Sequence, residues 1–224
     1  EQIILSSHGK LFCKKNRLDS LKEALNENFE VAVFDDGLQD RRINYDLCFL
    51  CFNNLNWIGN GFTIPSGPPR ENFKNIKKYN NIFINGNLEN LENIKKEISK
   101  INPNANIYIG KYMPLNLDEF DKKSKYLAFS GIGNHQTFIS MLKKYGLNIL
   151  KDFEFPDHYK YTKKDIDEIL LEANKLKCKI LTTEKDYLRL NIENLSQIKF
   201  IKSELKIIDE EKLISTILKI NENN

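Results

Sequence analysis

Two aspartates and a glycine, Asp35-Asp36-Gly37, follow directly on the apolar run Val31-Ala32-Val33-Phe34. A run this short and hydrophobic predicts a parallel-sheet strand covered on both faces. Carboxylates at its end would lie at the sheet's carboxyl edge, where open α/β sheets bind ligands. Hard oxygen donors there suit Mg²⁺ held beside a nucleotide's phosphates. The competing reading makes Asp35 a turn cap and Asp36 a solvated charge, and the stretch alone does not choose between them.

Three further stretches could do chemistry. Asp157-His158 lies in the aromatic loop Phe155 to Tyr161. A histidine beside a carboxylate can transfer a proton or orient another catalytic group. Adjacent residues seldom bond side chain to side chain, which favours Asp157 as a cap or backbone anchor. The loop Gly59 to Glu71 holds three glycines and three prolines and ends in Arg70-Glu71. Such a backbone is fixed and exposes amides, as in a binding loop or a rigid connector. Ser130-Gly131-Ile132-Gly133-Asn134 is a glycine turn without the third glycine of a dinucleotide fingerprint, and His135 beyond it reads as a cap-region residue. G-x-x-x-x-G-K-[ST] occurs nowhere, so a nucleotide site built from these residues has metal ligands and no phosphate cradle.

The elements that must position these groups alternate strand and helix, which predicts an α/β fold. Strands are expected at Ile3 to Leu5, Val31 to Phe34, Leu47 to Phe52 (buried), Asn81 to Asn85, Ile107 to Ile109, Tyr126 to Phe129, Cys178 to Leu181 and Ile198 to Ile201. Helices are expected at Leu18 to Leu25, Leu88 to Ile101, His135 to Tyr145, after an N-cap at Thr162, and at Glu210 to Ile220. Thr182-Thr183-Glu184-Lys185-Asp186 is again polar at a strand end. The charged stretch Asp118 to Lys125 is the best linker, giving domains 1–122 and 123–224.

With 224 residues the chain is long enough for one large domain or two small ones. A formal net charge of +3 gives no argument for a nucleic-acid partner. Basic clusters at Lys14 to Arg17, Arg41-Arg42 and Lys74 to Lys78 suit an anionic partner or a solvated surface. No apolar run approaches the roughly 18–20 residues that cross a bilayer. Cys48 and Cys51 fall on opposite faces of a strand, which argues against chelation of one metal.

Taken together and in order, Asp35-Asp36-Gly37-Leu38-Gln39, Gly59-Asn60-Gly61 through Pro65-Ser66-Gly67-Pro68-Pro69-Arg70-Glu71, Phe129 to Asn134, Asp157-His158 and Thr182 to Asp186 resemble the tetraacyldisaccharide 4′-kinase (lipid A 4′-kinase) family. The resemblance implies a P-loop-type, mostly parallel sheet, incomplete here, and a smaller α/β C-terminal domain. Residues 1–122 would be the C-terminal part of the kinase core. Glu1 resembles the last residue of the family's Gly-Asp-Glu, so an N-terminally truncated fragment, lacking the Walker A loop and the catalytic aspartate and inactive by itself, is expected.

The implied reaction is transfer of phosphate from ATP to the 4′-hydroxyl of a tetraacylated glucosamine disaccharide 1-phosphate, by a peripheral protein of the cytoplasmic face of the bacterial inner membrane. Asp35 and Asp36 would hold Mg²⁺, with Glu71 near the metal. Gln39 and Arg70 would lie at the phosphates, Asn134 near sugar or nucleotide, and His158 would pair with the aspartate that activates the hydroxyl. Asp40, Pro69 and His135 depart from the family pattern. The rival readings are a non-catalytic anion- or lipid-binding module and an unrelated α/β sugar-nucleotide enzyme.

Overall fold

The computed structural model describes residues 9–86, 89–190 and 195–222. The strand expected at Ile3 to Leu5, like Glu1, His8 and Leu88, lies outside them. The chain divides into two compact units, Glu1–Cys48 and Phe49–Asn224.

In the first unit, α1 (Arg17–Asn26) begins at Asn16, whose side chain accepts from the Leu18 amide. Its apolar positions bury little beyond Ala24. The strand expected at Val31 to Phe34 is not formed: the segment has no regular secondary structure, with Val31 68% and Val33 94% exposed. A parallel strand needs a hydrogen-bonded neighbour, and among the described residues of this unit there is no strand to supply one. Phe34 alone finds apolar cover, edge-on to the Tyr45 ring at 5.4 Å.

The second unit contains two four-stranded sheets. The first is ordered β1 (Leu50–Asn53), β2 (Asn81–Asn85), β3 (Asn106–Pro114), β8 (Ser203–Ile207). The strand expected at Leu47 to Phe52 thus starts later, and it is half-buried rather than buried because it lies at the sheet edge. β2 is central, and Ile82 and Ile84 pack with Ile76 and with Ile94 and Ile98 of α2 (Leu91–Ile101). β3 runs five residues past the expected stretch because Gly110 to Pro114 pair antiparallel with β8. Tyr108 of β3 hydrogen-bonds Thr216 of α6 (Glu210–Glu222) at 2.7 Å.

The second sheet is ordered β5 (Asn148–Glu154), β4 (Lys125–Ser130), β6 (Lys179–Thr183), β7 (Ile198–Ile201), all parallel. β4 is buried along both faces. Tyr126 and Ala128 meet Phe138, Ile139 and Leu142 of α3 (His135–Lys144), while Leu127 and Phe129 meet Ile166, Ile169 and Ala173 of α4 (Lys163–Leu176). This is the period-2 alternation of a strand between helix layers. Thr162 caps α4 in a reciprocal box with Asp165, as its sequence predicts. The segment 118–125 is no loose tether, since Phe120 is buried in the core against α3 and β4.

Candidate functional site

In strand order 5-4-6-7 the connection after β4 runs toward β5 and the connection after β6 toward β7, so the crevice outside the carboxyl ends of β4 and β6 is a topological switch point. The glycine turn Gly131 to Asn134 occupies that point. Asp186 lies there too, in the short helix α5 (Glu184–Tyr187) that follows β6, and so does the loop after β5 that carries His158.

Asp186 is 0% exposed and joins these pieces. Its Oδ2 accepts from the Gly131 amide at 3.1 Å and from the Thr183 hydroxyl at 2.7 Å. Its own amide donates back to Thr183 Oγ1 at 3.0 Å. Arg189, three residues on, faces Asp186 Oδ1 at 3.5 Å and donates to the Gly131 carbonyl at 3.2 Å and to His158 Nδ1 at 3.1 Å. A Cβ at Gly131 would lie 3.0 Å from the Tyr161 hydroxyl and 3.2 Å from the Pro156 carbonyl, tight enough that these neighbours would have to shift. Burial, with the Asp186 carboxylate beside it, pushes the Tyr161 phenol well above its ordinary range.

His158 has a left-handed backbone, φ 60°, held by its amide hydrogen bonds to the Gly131 carbonyl and to Asp157 Oδ1. Asp157 is therefore the backbone anchor that adjacency suggests, with its Oδ2 3.8 Å from His158 Nε2.

Asn134 heads α3 without capping it. Its Oδ1 accepts from Asn56 at 3.2 Å, while Asn53 donates to Thr137 at 2.9 Å, so the carboxyl end of β1 meets the same turn. His135 is not merely a cap-region residue. Its buried ring bridges Ser130 Oγ at 2.7 Å and Asp152 Oδ2 at 2.8 Å, tying β4 to β5 below the turn.

Arg70 and Glu71 are exposed at the end of the 59–71 loop, and Glu71 accepts from Asn75 at 3.0 Å. The loop is built rather than slack: Asn60 donates to the Ser66 carbonyl, Ile64 to the Pro69 carbonyl, and a side chain at Gly67 would collide with the Phe62 carbonyl.

Asp35, Asp36 and Gln39 belong to the first unit. There Arg17 Nη2 donates to the Asp35 and Asp36 carbonyls at 3.3 and 3.0 Å, fixing the main chain. Asp36 takes a left-handed φ of 53°, and the Tyr45 hydroxyl donates to the Gly37 carbonyl at 2.7 Å. Asp40 is paired with Arg42 through two bonds of 2.8 and 2.6 Å, which hold its carboxyl down at about 2. Its charge therefore faces a cation.

Comparison with known proteins decides the family. A model of the tetraacyldisaccharide-1-P 4′-kinase family, LpxK, matches residues 1–222. The chain belongs to this family. It is 58% identical over its whole length to a tetraacyldisaccharide 4′-kinase of Pelagibacter ubique, covering 71% of that protein. It is 34% identical to the Rickettsia bellii kinase over 85% of this chain and 58% of that one. The chain thus spans roughly three fifths to seven tenths of these relatives. A crystal structure of the "apo" form of LpxK from Aquifex aeolicus in complex with ATP aligns at TM-score 0.48 and 22% identity, covering 82% of this chain and 55% of that one.

Asp186, Arg189 and Arg17 build the site although their residue types alone do not mark them as site residues. The available signal was Thr182 to Asp186, polar at a strand end with an arginine one helical turn further on.

Proposed function

We propose that the protein carrying this chain transfers the γ-phosphate of ATP to the 4′-hydroxyl of a tetraacylated glucosamine disaccharide 1-phosphate in lipid A biosynthesis. The observation that carries this is the 58% identity, over the entire chain, to a named tetraacyldisaccharide 4′-kinase. The matches give no support to a non-catalytic anion- or lipid-binding module.

Asp35 and Asp36 would hold Mg²⁺. They fit: Mg²⁺ keeps several waters and is bound through one or two carboxylates plus substrate phosphates, and Arg17 anchors these two residues by their carbonyls. When bound, the ion neutralises charge on the phosphates undergoing transfer. Glu71 would add a carboxylate near the metal, Gln39 and Arg70 would position phosphate oxygens, and Asn134 would contact sugar or nucleotide. His158 would orient the aspartate that accepts the hydroxyl proton. Residues 1–122 would belong to the kinase core and 123–224 to a smaller domain, with β8 returning to pair with β3.

Among the described residues no helix is long and apolar enough to cross a membrane. Peripheral attachment at the cytoplasmic face of the inner membrane would rest on exposed cations such as Lys74, Lys77 and Lys78, attracted to anionic lipid.

The test follows label from γ-labelled ATP, with Mg²⁺, into the tetraacyl disaccharide 1-phosphate, using the full-length protein. Label entering the lipid is expected. Label that reaches only inorganic phosphate would overturn the proposal.

A further inference from the structure

We infer that Arg189 is a positioning residue that sets the tautomer of His158, an inference that rests on the kinase reading for its catalytic consequence but not for its structural claim. Arginine has N–H donors and no acceptor. The 3.1 Å contact from Arg189 Nη2 therefore makes His158 Nδ1 the acceptor, and the neutral ring carries its proton on Nε2. Ring orientation and tautomer are set by the partner of the other nitrogen.

The guanidinium that does this is itself held in place. Asp186, wholly buried, faces it at 3.5 Å, and the Gly131 carbonyl accepts from the same Nη1 at 3.2 Å. Asp186 is fixed in turn by the Gly131 amide and the Thr183 hydroxyl. The chain Thr183–Asp186–Arg189–His158 thus links the strand end of β6 to the catalytic loop through side chains that each have a defined partner. Arg189 faces the imidazole at Nδ1, and Asp157 lies near Nε2.

The consequence is chemical. A ring with Nε2–H is a hydrogen-bond donor on that side. It can hold a carboxylate in place but cannot take a proton there without first losing its own. In the reading above, His158 would therefore act by donating to the catalytic aspartate, with the aspartate alone receiving the hydroxyl proton. Arg189 would make the wrong tautomer, with Nε2 bare and facing a carboxylate lone pair, unfavourable.

The test is long-range ¹H–¹⁵N NMR of the histidine rings in the full-length protein at pH 8, assigned with His158→Asn. The expected wild-type spectrum shows an unprotonated Nδ1 and a protonated Nε2 for His158. Arg189→Met removes the donor, and a tautomer mixture should appear. Arg189→Lys keeps a cation beside buried Asp186, so it secures a folded variant if Arg189→Met does not fold. A lysine ammonium lacks the planar fork that spans Asp186, Gly131 and His158, so the mixture is expected there too.

Phosphoryl transfer in Arg189→Lys should fall roughly 10-fold in kcat, less than the ~10²–10⁴ that the general base itself contributes, with KM for ATP little changed. A protonated Nδ1 in the wild type, or an unchanged His158 tautomer in both variants, would overturn the structural claim. A shifted tautomer with undiminished kcat would overturn the positioning role. Failure of the kinase reading shows differently, as full-length wild type that transfers no phosphate while the tautomer pattern stands.

Discussion

His135 and Asp152 stand 2.8 Å apart, Nε2 to Oδ2, and the far nitrogen of the same ring meets Ser130 Oγ at 2.7 Å. Serine, histidine and aspartate in a row invite a hydrolase reading, but Ser130 and the His135 side chain are both 0% exposed, and no substrate could reach that hydroxyl. The arrangement is a clasp. It fixes the start of α3 against β4 and β5, directly below the turn that carries Asn134.

Removing the clasp should cost stability. His135→Ala leaves the buried Ser130 hydroxyl without its ring partner and opens a cavity, and a buried group left unsatisfied costs about 1–3 kcal/mol. Urea unfolding should show a loss of that size or somewhat more. A change near zero would mean that the bridge carries no weight in the fold.

The Asp40–Arg42 pair gives a pH prediction. Asp40 has a depressed carboxyl, about 2, chiefly through its hydrogen bonds from Arg42. Its contribution is therefore complete above the ordinary carboxylate range of about 4 and is lost as pH falls through about 2. The Asp40 carboxyl ¹³C shift should titrate with that low midpoint, and Arg42→Ala should return it toward the ordinary value. A midpoint unmoved by Arg42→Ala would show that the arginine is not its cause.

How much of this was legible in the sequence depends on the kind of signal. Buried central strands such as Tyr126 to Phe129 announce themselves because both faces are apolar. The Thr162 cap was readable for the same local reason. Asn148 to Glu154 and Ser203 to Ile207 were missed, since edge strands with charged outward residues look like loops. Val31 to Phe34 has the composition of a buried strand, yet composition cannot supply the neighbour that a strand must pair with. For the site, residue types pointed to Asp35, Asp36 and His158, whereas Arg17 and Arg189 act through partners far away in sequence. Of their contacts only that of Arg189 with Asp186, three residues away, shows in local spacing.

The left-handed backbone of His158 predicts an unusual mutational order. With φ at 60°, a side chain with a Cβ is strained by about 1–2 kcal/mol, and glycine is not. His158→Gly should therefore unfold at a higher temperature than His158→Ala. The opposite order would show that glycine's greater freedom in the unfolded chain outweighs the strain at this position.

Asp36 shares that conformation, φ 53°, and asparagine tolerates it well. Asp36→Asn should leave the melting temperature unchanged while raising the Mg²⁺ concentration needed for half-maximal phosphoryl transfer several-fold. An unchanged Mg²⁺ requirement would remove Asp36 from the metal site.

The most direct test of the account is single-turnover phosphoryl transfer to the tetraacyl disaccharide 1-phosphate by the full-length protein, comparing wild type with Asp35→Asn and His158→Asn at saturating ATP and lipid. The account predicts product carrying the new phosphate on the 4′-hydroxyl, with the rate falling about 10²-fold or more in each variant, since His158 would orient the aspartate whose general-base step contributes ~10²–10⁴. Transfer at the wild-type rate in both folded variants would contradict it.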